Sequence, residues 1–431
     1  MPITDDLPPG ATPPSQPRPE PVPTARSPRV AALADRVNDG DGGAVAAFWA
    51  EVGERGTPLV EPHDADTRAV TFLWRGAART VLLLANKLFD RANPRDALMR
   101  QVPGTDVWHL TYRLPADWRG SYQIAATGTE PADDDELRAL AAAGRPDPFN
   151  PAVLPQPDGA PDKSVAELPD APPRDHLRPR PGTPTGTVTA HRIGGPHPGG
   201  ERDAWLYAPA QPAAPVAGPV ADQPVAPVAV QLPLLVLLDG EIWARRLPVF
   251  PVLDNLIADG TIPPLAAVVL AAGGRITRFT EYPCDDRFAA YLAEDVTPWA
   301  AGRLGATADP AATIVAGQSL GGLAAAYAAY RAPHRFGNVL SQSGSFWWPN
   351  APGAEWLTAR YAAADRLPLR FHLEVGRDEW TGIGPNRRLR DALNAKGYPV
   401  TYTEYSGGHD QACWQVGLAG ALHALTSAWR R

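Results

Sequence analysis

A serine stands between two glycines in Gly317-Gln318-Ser319-Leu320-Gly321. A serine hydroxyl is a weak nucleophile until a base takes its proton and a turn exposes it. The G-x-S-x-G pattern supplies such a turn when a buried strand runs into it and a helix leaves it. Here "ATIVA" precedes the motif and "LAAAYAAY" follows it. The first is β-prone and the second is built of helix formers. The glycines permit a strained turn and close packing of the helix. The hydroxyl then stands above the sheet edge, beside the positive end of a helix. The spacing predicts a nucleophile at Ser319. The plainer reading is a small residue at a strand–helix junction.

A nucleophilic serine needs a base and an acid behind it, in the chain order serine, acid, histidine for α/β-hydrolases. Of nine histidines, only His409 and His423 follow a further strand. His409, in "EYSGGHDQACW", lies on a glycine turn after the strand-like "VTYTEY". His423, in "LAGALHALTSAW", has helical surroundings and reads as structural. The base is therefore placed at His409. The acid falls in "FHLEVGRDEW". In this superfamily it commonly sits three residues after the strand-terminal glycine, and counting from Gly376 gives Glu379. Asp378 is the alternative, and a solvated turn carboxylate is the bland reading of either. Glu374 lies within the strand and is not expected to face the site. An oxyanion hole needs two backbone donors. The amide of Leu320 is one candidate. The loop after "LLVLLDG" supplies the other, Gly240 or Glu241.

These side chains need a sheet to carry them. The runs "LPLLVLLDG", "LAAVVLAAGG", "AATIVAGQS", "FGNVLSQSGS" and "LRFHLEVGRD" are rich in Val and Leu and lack alternation. Strands covered on both faces read this way. Helices between them indicate an α/β sheet, here the α/β-hydrolase type. "GTVTAHRI" and "ERDAWLYAPA" are expected to pair antiparallel. A Pro/Ala-rich insert near 210–230 reads as a surface loop. Earlier, "AVTFLWRG", "RTVLLLANKLF", "DVWHLTYRLP" and "GSYQIAATG" are short β-prone runs separated by turn residues, the pattern of a small β-sandwich. The division is then residues 1–28 as a disordered Pro-rich tail, 29–154 as a sandwich domain with leading helical segments, 155–184 as a Pro-rich linker, and 185–431 as the catalytic domain.

Composition narrows the class. The 431 residues exceed one ordinary domain, and 44% hydrophobic content can fill real cores. The 50 prolines cluster, which marks linkers. Net charge is −7, without a long basic run, which argues against nucleic acid. No apolar segment approaches a membrane span. The start "MPITDDLPPGATPPSQP" lacks the basic and apolar regions of a signal peptide. Cys284 and Cys413 make no disulfide framework and no Cys-rich zinc site. A cytoplasmic protein without a metal site or cofactor is expected.

Several segments in one order resemble the enterochelin (enterobactin) esterase family. "LLDGEIWARRLPV", "RFTEYPCDDRF", "VAGQSLGGLAA", "RFGNVLSQSGSFWWP" and "GGHDQACW" are similar to its hydrolase half. "VTFLWRG", "PGTDVWHLTYRLPADWRGSYQI" and "DPFNP" are similar to its N-terminal half. The chain departs from the family in its Pro-rich tail, its Pro/Ala insert and the residues after Gly376. The resemblance implies hydrolysis of cyclic catecholate trilactones, usually as ferric complexes, so that iron is released inside the cell. Such a substrate is large, flat-armed and anionic, so its site should offer aromatic faces and cations. Arg278 matches the family's arginine in R-x-x-E, with Glu281 as the expected partner. Trp243, Trp347 and Trp348 are the expected aromatic surfaces, one of the last two being core. Two rival readings are another acyl ester as substrate, or an acyltransferase of the same fold. A third is a non-catalytic binding protein that uses the sandwich for recognition.

Overall fold

The computed structural model describes residues 10, 12–157, 159–196, 200–210, 231–351 and 353–430. The Pro/Ala insert at 211–230 lies outside them.

Two antiparallel sheets of four strands form the N-terminal sandwich. One runs Leu59–Pro62, Thr67–Arg75, Val107–Pro115, Arg100–Gln101 in spatial order. The other runs Thr80–Ala85, Arg119–Thr127, Lys163–Glu167, Val153–Leu154. Inward residues such as Val70, Phe72, Leu83, Tyr112, Tyr122 and Ile124 meet between the sheets. The helices Pro28–Asn38 and Ala44–Arg55 cover one outer face. The first is capped by Ser27, whose hydroxyl accepts from the Val30 amide. Val30, Leu33, Phe48, Trp49 and Val52 bury their apolar stripe against Leu59, Leu73 and Val107.

Two expected segments are corrected. Residues 12–27 do not stand apart as a tail: Val22 is buried in the sandwich core, and Thr24 bridges to Tyr112. The stretch 155–184 is not simply a linker. Lys163–Glu167 is a strand inside the second sheet, paired with Arg119–Tyr122. Further on, the carbonyls of His176 and Arg178 accept from the Asn255 side chain of the C-terminal half. Proline density hid both segments, because their order comes from partners distant in sequence.

The C-terminal sheet has eight strands. In spatial order they are Val400–Tyr405, Arg370–Gly376, Asn338–Gln342, Thr313–Gln318, Leu234–Leu238, Ala266–Leu270, Glu201–Ala208 and Thr187–Gly194. The first six are parallel, and the last two form the expected antiparallel pair. Leu234–Leu238 and Ala266–Leu270 are buried throughout, which explains their unalternating Val and Leu. The chain order reverses beside Leu234–Leu238, and ligands gather at the carboxyl ends of strands at such a point.

Candidate active site

The strand Thr313–Gln318 ends at that crevice, and the helix Leu320–Arg331 begins immediately after Ser319. Ser319 has φ 57° and ψ −123°, a conformation that costs a non-glycine residue about 1–3 kcal/mol. Four backbone bonds hold it there. Its amide donates to the Gln342 carbonyl at 2.9 Å, and its carbonyl accepts from Gly322, Leu323 and Ser345. A Cβ on Gly317 would clash with the Gly321 carbonyl, and one on Gly322 with the Ser341 hydroxyl. Glycine at 317 thus lets the turn close, and glycine at 322 lets the helix sit against the next strand. Helical residues through Ala329 are buried, so alanine keeps the helix close to the sheet. The Leu320 amide, at the first helical position, has no intrahelical carbonyl to bond.

His409 and Glu379 face one another across two loops. His409 Nδ1 lies 2.6 Å from Glu379 Oε2. A carboxylate only accepts, so the proton belongs on Nδ1 and Nε2 is left as the acceptor. Glu379 is almost fully buried. Its other oxygen accepts from the Ser343 hydroxyl at 2.6 Å and the Gly376 amide at 2.8 Å, with the Tyr405 hydroxyl 3.2 Å away. Burial opposes its ionisation, but the His409 charge and these donors outweigh burial and hold the carboxyl below its usual range. Trp414 bonds Ser343 through its indole N–H and meets the His409 ring edge-on at 4.8 Å.

Asp378, next in the chain, turns away. It accepts from the Trp118 indole at 2.9 Å and pairs with Arg18 at 3.1 Å. Glu374 accepts from Gln342 inside the sheet. His423 contacts the Thr261 carbonyl, far from Ser319 in the fold.

The sandwich braces the histidine loop. The Asn86 side chain donates to the His409 carbonyl at 2.9 Å, and the Ser121 amide donates to Asp410 at 2.6 Å. A Cβ on Gly408 would sit 2.6 Å from both Asn86 Oδ1 and Lys87 Cβ, so this loop admits only glycine. Ser319, His409 and Glu379 line one cleft together with Leu320, Trp347, Arg278 and Lys87. Lys87 was not visible as a site residue in the sequence. It lies after a strand of the other domain, in a left-handed conformation at φ 58°. Its ammonium rests 4.8 Å over the Trp380 ring. Among the described residues no carboxylate comes within ion-pair distance of it. Burial pushes its pKa below the lysine range, although the nearby Glu379 charge works the other way.

Comparison with known proteins agrees with this layout in both halves. A family model for the enterochelin esterase N-terminal domain matches residues 69–177, and an Esterase model matches 222–425. An iron(III) enterobactin esterase from Dickeya dadantii is 33% identical, over 88% of this chain and 92% of its own. The chain belongs to the enterochelin esterase family. An iron(III) salmochelin esterase of the family, from Escherichia coli, is 30% identical over 92% of this chain and 97% of its own. Among solved structures, a ferric enterobactin esterase from Salmonella typhimurium superposes with a TM-score of 0.77 at 29% identity, covering 89% of this chain and 99% of that one. The Shigella flexneri enterobactin esterase, crystallised in the presence of enterobactin, gives 0.71 at 30% identity, covering 89% and 98%.

Other residues singled out through the family pattern are placed differently from expectation. Arg278 does not pair with Glu281. It makes two bonds to the fully buried Asp239, at 2.6 and 2.8 Å, while Glu281 accepts from Arg202 at 2.8 and 2.9 Å. Burial works against the Arg278 charge and the Asp239 carboxylate outweighs it, so the guanidinium is firmly protonated. Trp243 offers no face to a ligand: it is fully buried and donates to the Gln318 side chain at 2.9 Å. Trp347 lines the cleft, whereas Trp348 packs edge-on against Trp356 at 6.2 Å. Gly240 is buried against Leu270 and Ala271 and does not line the cleft. The Glu241 side chain instead accepts from the Ala272 amide. Cys413 is buried with its thiol on the Arg119 carbonyl. Among the described residues no group of three or more His, Cys, Asp or Glu could hold a metal ion, and no helix is long and apolar enough to cross a membrane.

Proposed function

We propose that this chain is a serine esterase that opens the trilactone ring of catecholate siderophores, with Ser319 as nucleophile, His409 as base and Glu379 as the acid behind it. The observation that carries the reading is the 2.6 Å bond between the buried Glu379 and the half-buried His409 on the same cleft as the strained Ser319. Relatives named for enterobactin and salmochelin hydrolysis supply the substrate class.

The chemistry follows from the proton positions. Ser319 Oγ attacks a lactone carbonyl while His409 Nε2 takes its proton. The imidazolium is stabilised by ionised Glu379, which also holds the ring in the correct tautomer. The Leu320 amide donates to the developing oxyanion. The imidazolium then protonates the leaving serine alkoxide of the ring. Water, deprotonated by His409, releases the acyl chain and restores Ser319. Every proton moves through His409 Nε2.

Recognition of the ferric complex falls to Lys87 and Trp347. The ferric tris-catecholate is anionic, and Lys87 is a cation on the cleft without a carboxylate partner. Arg278 has its charge matched by Asp239, so its main role is to hold the floor of the site. The Trp347 ring offers an aromatic surface to a catechol arm. The reaction belongs in the cytoplasm, where ferric siderophore arrives and where Cys284 and Cys413, both free thiols, persist. Incubation with ferric and iron-free enterobactin, followed by mass spectrometry, should give linear dihydroxybenzoyl-serine oligomers. Intact trilactone after prolonged incubation would refute the reading.

A further inference from the structure

We infer that Gly10 and residues 12–18 form a strap across the mouth of the cleft, which limits the size of substrate admitted and must lift before a trilactone can enter. The inference rests on the esterase reading above.

Contacts at four of its residues fix its path. The Gly10 carbonyl accepts from the Asn350 amide at 3.0 Å, just past the cleft-lining Trp347. Pro13 itself lines the cleft, in company with Ser319 and His409. The Gln16 carbonyl accepts from the Trp380 indole at 2.8 Å, and Trp380 follows Glu379 directly. Arg18 donates to Asp378 at 3.1 Å and to the Lys87 carbonyl, and its own amide donates to Asp90 at 2.9 Å. The segment therefore runs from the Trp347 side of the mouth to the acid loop and the Lys87 loop.

The free space left beneath it is about 100 Å³. Sites for drug-sized ligands run from about 300 to 1,000 Å³. A ring carrying three aryl arms is larger than that class, so the cleft as closed accommodates at most part of one arm. The other walls are turns and helix ends at the carboxyl edge of the packed sheet, with Lys87 from the sandwich. The strap is held by a few bonds at the surface, and proline-rich backbone has few amides to tie it down. It is the element whose movement costs least. A small ester needs no such movement.

The geometry offers a reversible test. A Cβ built on Gly10 would lie 3.7 Å from Ala351 Cβ, within the span of a disulfide. The Gly10→Cys/Ala351→Cys protein should therefore oxidise to a closed form and reopen with dithiothreitol. Gly10 has φ 74°, and the strain on a cysteine there is common to both redox forms, so it cancels in the comparison. The oxidised form should cleave enterobactin at least tenfold more slowly than the same protein reduced. Both forms should hydrolyse p-nitrophenyl acetate equally. Equal rates on enterobactin in the two forms would overturn the inference. Loss of acetate hydrolysis in both forms would instead overturn the esterase reading, and the strap with it. A second variant, Arg18→Ala, unties the strap without a crosslink. Its ratio of kcat/KM for enterobactin to that for p-nitrophenyl acetate should rise severalfold, and an unchanged ratio counts against the strap.

Discussion

The Asn86 side chain donates a 2.9 Å hydrogen bond to the backbone carbonyl of His409, a residue 323 positions later and in the other domain. With the Ser121–Asp410 bond, it ties the sandwich to the loop that carries the proposed base. Asn86→Ala should lower kcat on enterobactin and on p-nitrophenyl acetate in parallel, by about ten- to a hundredfold, the scale of a small misplacement of a catalytic group. Steady-state kinetics on the two esters checks this. A change confined to enterobactin would make Asn86 a binding residue instead.

Glu379 and Asp378 are neighbours with opposite environments, and their variants should separate accordingly. Glu379→Gln should cost up to about 10⁴-fold in kcat, as neutralising a triad acid does. Asp378→Asn should cost far less rate. The pH dependence gives a second readout. The folded pKa of Glu379 lies below its unfolded value. Its contribution to stability is therefore present above the ordinary carboxylate pKa of about 4.3 and lost as pH falls through the folded value. Glu379→Gln should lower Tm more at pH 7 than at pH 4. The reverse ranking of the two variants in kcat would move the acid to Asp378.

Arg278 shows how a family motif can misname a partner. The i, i+3 spacing suggests a pair with Glu281, yet Arg202 takes Glu281 and Asp239 takes Arg278. Arg278→Ala leaves a carboxylate buried without its partner, which typically costs about 3–5 kcal/mol. Tm should fall by roughly 6–20 °C, and Asp239→Asn in the same protein should restore part of it. Differential scanning calorimetry of the two proteins decides. An unchanged Tm would free Arg278 for a role in substrate binding alone.

The parallel sheet, the elbow and the histidine loop were legible because local pattern specifies them: unalternating strands, a glycine-bounded serine, a histidine just past a strand. Counting from Gly376 led to Glu379 for the same reason. What was not legible depends on contacts between distant segments. Pro13 and Arg18 sit in a proline-rich stretch whose composition reads as disorder, and residues distant in sequence, among them Asp90, Asp378, Lys87 and Trp380, give it a place. The strand Lys163–Glu167 is hidden among prolines in the same way. Trp243 carries no mark that tells a buried indole from a ligand surface. Lys87 enters the cleft from another domain, at a spacing no motif records.

Lys87 makes a prediction that Arg278 does not. Lys87→Met should raise KM for ferric enterobactin by about ten- to a hundredfold, the scale of one charge-assisted contact, with a smaller change in kcat. Lys87→Arg should recover most of the affinity. Because burial lowers the pKa of Lys87, its charge is lost at a lower pH than that of an ordinary lysine. KM for the ferric complex should therefore climb on the alkaline side before the lysine range is reached, and Lys87→Met should lack this climb. A flat KM profile in the unmodified protein would remove Lys87 from recognition.

Turnover of enterobactin by Ser319→Ala tests the central claim most directly. The purified variant should keep the melting temperature of the parent and still bind the ferric siderophore. Its kcat should fall by about a million-fold, as removal of a triad serine does, and no linear product should accumulate by mass spectrometry. Retention of more than a few per cent of the parent rate would contradict a mechanism that runs through Ser319.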